Sequence, residues 1–112
     1  FSIGKLMAKQ TDKILQRLRE AFIFDYESEA KQEDLSFIKG ICFSYENHKL
    51  SVRFIIVPEK HVDAFETCSE LATLFISRVT GDDSLVYEES TVLNPLSTPM
   101  ENFNLGQWIA RK

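Results

Sequence analysis

Residues 37–57, FIKGICFSYENHKLSVRFIIV, decide how this chain folds. Two runs rich in β-branched and aromatic residues flank Asn47 and His48, and asparagine tolerates the positive φ of a two-residue hairpin turn. With that turn, Glu46 opposes Lys49, Tyr45 opposes Leu50, Phe43 opposes Val52 and Ile41 opposes Phe54. One face then becomes wholly apolar, and the closing pair is of opposite charge. A slip of one residue would carry every apolar side chain to the other face. A four-residue loop from Glu46 to Lys49 keeps the same pairs, so the register does not depend on the turn type.

The second face of this hairpin carries Ile38, Gly40, Cys42, Arg53, Ile55 and Val57. The run from Leu50 to Val57 is therefore apolar on both sides towards its end, and strands of that kind are normally buried on both faces. A cover is needed there: a helix, the C-terminal segment or another chain.

Outward from the hairpin, the spacing predicts a helix from Ser2, a suitable N-cap, to Phe22. Ile3, Met7, Ile14, Leu18 and Phe22 recur at three- and four-residue steps, widened by Leu6 and Leu15. Lys5, Lys9, Lys13 and Arg17 line the opposite side. Residues 22–26 alternate enough for a short strand, and the acidic stretch Glu27 to Asp34 reads as a solvated loop. A second helix is expected from Pro58 to Gly81, with Phe65, Cys68, Ala72, Phe75, Ile76 and Val79 on one side and Glu59, Asp63, Glu66 and Glu70 on the other. Ser84 to Leu93 reads as a strand. After a loop holding Pro95 and Pro99, the residues Phe103, Leu105, Trp108 and Ile109 suggest a last strand, with a bulge at Gly106. The expected architecture is a two-layer α+β domain: an antiparallel sheet of about four strands with two long helices.

The chain has 112 residues, 44% hydrophobic and 27% charged, which suits one globular domain over its whole length. Phe1 in place of Met allows for excision from a longer protein. Two cysteines are too few for a disulfide scaffold and point to a reducing, cytoplasmic setting. No apolar run approaches the roughly 18 residues that cross a bilayer, so no membrane association is expected.

A search for chemistry finds little. Cys42, Cys68, His48 and His61 lack metal-ligand spacing, since His61 and Cys68 stand about 10.5 Å apart along a helix. No nucleophile elbow or phosphate-binding glycine fingerprint can be written. Glu88 and Glu89, adjacent in a strand, point to opposite faces. No catalytic residue, metal ligand or cofactor is assigned.

Charge is the feature above background. The first 20 residues hold five basic and two acidic side chains, a net of +3, so the rest carry −7 of the overall −4. Like charges at four-residue spacing repel by roughly 0.2–0.5 kcal/mol per pair, so a helix that keeps three such pairs suits an acidic partner. The expectation is a non-enzymatic protein–protein interaction module, of adaptor, small-chaperone or inhibitor type, with self-association as one version. Its partner-binding residues would be Lys5, Lys9, Lys13 and Arg17 on the helix, or Ile38, Cys42, Arg53, Ile55 and Val57 on the hairpin's second face. The alternatives are nucleic-acid binding through the basic helix, which the acidic balance opposes, and small-molecule sensing in an aromatic-lined pocket.

Overall fold

A computed structural model describes the backbone of residues 3–59, 62–93 and 98–112, with side chains from residue 13 onward within those spans. Its elements run α1 (Ile3–Ala30), β1 (Ile38–Glu46), β2 (Lys49–Ile56), α2 (Ala64–Arg78), β3 (Val86–Leu93), a 3-10 turn (Met100–Phe103) and β4 (Gln107–Arg111). The domain is α+β, with a four-stranded sheet in the order β3-β2-β1-β4.

The hairpin forms in the expected register, from Glu46 opposite Lys49 to Ile41 opposite Phe54. Asn47 and His48 both take positive φ, 52° and 63°, as a two-residue turn of matching twist requires. The Val57 N–H donates to the Phe37 carbonyl at 2.8 Å and closes the open end. One placement changes. A bulge between Ile38 and Gly40 brings Ile38 opposite Ile56, so Ile38 joins the helix-side core instead of the second face.

Both helices pack on the face that carries Phe43 and Phe54. The Phe22 ring stands edge-on to Phe43 at 4.8 Å and tilted to Phe75 at 4.7 Å. Phe75 in turn stacks over Phe54 at 6.4 Å. Each such pair adds about 0.5–1.5 kcal/mol to the burial of its area.

Helix α1 does not stop at Phe22. Its three- and four-residue stripe continues through Asp25, a polar side chain at a core position, and Tyr26 packs against the core. Asp25 is buried because the Arg78 guanidinium on α2 grips it with two bonds, of 3.1 and 2.6 Å. Glutamate and alanine are good helix formers, so the expected strand and the first half of the expected loop become two more turns of helix, while residues 31–34 lie outside it. Helix α2 begins later than Pro58, at Ala64, and its buried side is Ala64, Thr67, Cys68, Leu71, Ala72 and Phe75. Phe65 lies off that stripe and is exposed. Ser2, Lys60 and His61 fall outside the described residues.

Strand direction is the other correction. β1 pairs antiparallel with β2 and β4, but β3 runs parallel to β2, from Lys49 opposite Val86 to Ile56 opposite Leu93. The sheet is mixed. Strand β4 starts at Gln107, Phe103 belongs to the 3-10 turn, and the register shift falls between Trp108 and Ala110 instead of at Gly106.

Candidate functional site

The second face of the hairpin is closed by the chain itself. Cys42 and Ile55 on that face are wholly buried, and Val57 is half-buried. The carbonyl of Phe103 accepts the Arg53 guanidinium at 2.9 Å and the Cys42 thiol at 3.2 Å, which ties the 3-10 turn down over β1 and β2. Arg53 also donates to the Ser90 hydroxyl at 3.0 Å. Gly40 makes room for this cover: a Cβ there would lie 2.8 Å from Met100 Cε and 3.0 Å from the Trp108 ring. Cys42 and Ile55 therefore offer no free surface, because the C-terminal segment holds the place expected for a partner, and Ile38 offers none because it is buried in the helix-side core. Of the basic helix residues, Lys13 and Arg17 are exposed; the side chains of Lys5 and Lys9 lie outside the described set.

The two thiols sit on opposite sides of the sheet, and burial pushes both up, that of Cys68 to about 12. They remain protonated at neutral pH, where neither is a nucleophile or a ready ligand.

The turn after β1 meets the loop before β3 at Asp82. Its carboxylate accepts the Tyr45 hydroxyl, lies 2.9 Å from His48 Nδ1, and caps the Ser84 N–H at 3.1 Å. The Tyr45 bond, first among these contacts, holds the Asp82 carboxyl below its ordinary range. The same bond, with burial behind it, raises the Tyr45 phenol to about 12. Gly81, at φ 79°, makes the turn that brings Asp82 to the hairpin tip. From this clamp β3 sets out alongside β2, its first N–H donating from Val86 to the His48 carbonyl at 2.8 Å.

That bond fixes which groups of β3 face outward. In a strand, successive residues direct their N–H and C=O to opposite sides. Val86 points at β2, so Tyr87, Glu89, Thr91 and Leu93 present their N–H and C=O to the free edge. Among the described residues nothing bonds to them there. Val86 and Leu93 are 56% and 50% exposed at the two ends of the edge. The opposite edge, β4, is shorter and guarded, because Arg19 of α1 donates to the Trp108 carbonyl at 2.9 Å.

Surface hollows among the described residues include two polar ones. One, of about 520 Å³, lies between α1 and β4 and is lined by Leu15, Gln16, Arg19, Gly106, Gln107 and Trp108. The other, of about 370 Å³, gathers Glu33 and Asp34, after α1, with Asp63, just before α2, and Glu66, Thr67 and Glu70 of α2. Carboxylate oxygens of Glu29, Glu33 and Glu70 come within 4.8 Å of one another, close enough for a hard divalent cation. Shielding from water, then the charges of Glu33, Glu66, Glu29 and Asp63, raises the Glu70 carboxyl. These carboxylates stand on the surface with no neutral oxygen ligand shown among them, so the cluster is an acidic patch and carries no assigned ion.

No protein-family model, curated protein or solved structure matches this chain significantly. Among the described residues no helix is long and apolar enough to cross a membrane.

The β3 edge went unmarked in the amino-acid order. Its strand was legible, but its place at the rim follows from the parallel crossover. Only the absence of a further strand pattern between Leu93 and the final strand hinted at it.

Proposed function

We propose that this domain is a non-enzymatic protein–protein interaction module that receives an extended segment along β3. One observation carries the reading: an eight-residue strand, Val86–Leu93, whose outward N–H and C=O groups have no partner among the described residues. Such an edge is a template for another strand unless it is short, covered, bulged or charged; among the described residues β3 is eight residues long, uncovered and unbulged, with Glu88 and Glu89 its only charges. Strand addition draws affinity from main-chain bonds and specificity from alternate side chains. Here Tyr87, Glu89, Thr91 and Leu93 lie on the helix side of the edge, with Glu88, Ser90 and Val92 on the other. An adaptor, small chaperone or inhibitor works in this way without chemistry of its own. The two buried free thiols support a cytoplasmic setting.

Panning a phage-displayed random-peptide library on the immobilised domain tests the reading. The expected clones bind the wild type and lose binding to Thr91→Pro, which removes an outward N–H at a position where an edge strand tolerates proline. Absence of any enrichment, or clones that bind both forms equally, overturns it.

A further inference from the structure

We infer that the segment received by β3 is β3 of a second copy, the two strands pairing antiparallel about a twofold axis through Ser90. This rests on the strand-addition reading above. Residues that face each other in an antiparallel pair lie on the same side of the sheet. For a strand meeting itself, that condition requires the axis to pass through a residue and not between two.

Each centre sets a different pattern. An axis through Glu89 or Glu88 places that carboxylate directly against its own copy, and like charges opposite one another destabilise a pair. An axis through Thr91 pairs only the last five residues of the strand, Glu89 to Leu93. An axis through Ser90 sets Tyr87 against Leu93 and Glu89 against Thr91 on the helix side. On the other side it sets Glu88 against Val92 and Ser90 against Ser90. No like charges stand directly opposite in this register, and the two copies of Glu89 become diagonal neighbours about 7–8 Å apart. The half-exposed Leu93 gains an aromatic neighbour, and each Glu89 carboxylate faces a hydroxyl that can donate to it.

The backbone agrees with this centre. Tyr87, Glu89, Thr91 and Leu93 point outward, so Tyr87–Leu93 and Glu89–Thr91 become hydrogen-bonded pairs, with roughly eight N–H···O bonds over the whole seam. Ser90 directs its own N–H and C=O inward to β2. The two copies of Ser90 therefore form a close, non-hydrogen-bonded pair at the axis, with Cα atoms about 4.5 Å apart. Such an interface is isologous and closes on itself, giving a continuous eight-stranded sheet, twice the four strands of one copy, with both helix layers on one side.

Sedimentation velocity from about 1 µM to about 1 mM, the span in which a small interface declares itself, tests the inference. The wild type is expected to shift from monomer to dimer across that range, and Thr91→Pro to stay monomeric with unchanged circular dichroism. Ser90→Cys supplies the second arm, because its two thiols fall within disulfide reach only in this register. Mild oxidation should link it into a dimer, while Ser69→Cys, on the exposed side of α2, stays unlinked; the native thiols are buried and do not compete. A wild type that remains monomeric throughout overturns the inference, as does a dimer that Ser90→Cys fails to link. A monomer whose edge still selects peptides overturns the second copy alone, whereas a monomer that selects none removes strand addition with it.

Discussion

The two faces of the sheet are held in different ways. On the helix side, Phe22, Phe43, Phe54 and Phe75 form a dry aromatic cluster whose cohesion scales with the area it hides. On the other side, a few polar bonds converge on one backbone carbonyl, that of Phe103, and pin a short turn over Cys42 and Arg53. The first face resists because many contacts share the load. The second depends on a few atoms, and its failure need not spread. Burial alone does not separate them, since Cys42 and Phe43 are equally inaccessible.

Three substitutions probe that contrast. The largest effect is expected from Phe22→Ala, which empties the middle of the aromatic cluster. Removal of a fully buried phenylalanine costs about 3–5 kcal/mol, and urea unfolding should show it as a loss for the whole molecule at once. Next comes Arg53→Met, which keeps the apolar stem and deletes the bonds to Phe103 and Ser90. The expected cost is about 1.5–3 kcal/mol, as for hydrogen bonds to a charged group. Hydrogen exchange should then quicken in residues 98–105 while the β1–β2 amides stay protected. Equal quickening of both would erase the distinction between the faces.

The smallest effect concerns a polar tie on the helix side, Tyr45 to Asp82. Asp82 has a depressed folded pKa, so its contribution is present above the ordinary value of 3.8 and fades as pH falls through the folded one. Tyr45 has a raised folded pKa, so its contribution is whole below 10.0 and is lost as pH rises through about 12. The melting-temperature gap between wild type and Tyr45→Phe should thus be flat from about pH 5 to about pH 9 and narrow at both extremes. A gap that ignores pH would mean that the hydroxyl and carboxylate are not coupled in solution.

How much of this was legible in the amino-acid order depends on the range of the interaction concerned. The β1–β2 register is local: an opposite-charge pair at the turn and an apolar face leave one arrangement, and the structure adopts it. The extension of α1 was obscured because its core position at residue 25 is a carboxylate, whose partner Arg78 is 53 residues away. Ile38 changed sides through a bulge beside Gly40, a residue type that often marks one inside a strand but does not say which neighbour it moves. The direction of β3 is set by where α2 delivers the chain and by the Asp82 clamp, and alternation alone is the same for parallel and antiparallel strands. The cover over Cys42 hangs on a main-chain carbonyl, a group every residue possesses. Of the expected partner-binding residues on α1, Lys13 and Arg17 are exposed. The free edge itself emerged only with the strand order.

The parallel strand has a consequence for the order of assembly. Glu46 meets Lys49 three positions on, so the hairpin closes over a minimal loop, whereas Lys49 meets Val86, 37 positions on. Loop closure over the longer span costs more entropy before any contact rewards it. The β1–β2 pairing is therefore expected to form before β3 arrives, with the apolar run Phe54-Ile55-Ile56 of β2 still unaccompanied. In that interval the vulnerable rim belongs to β2, and the arrival of β3 replaces a greasy border with one that carries two glutamates.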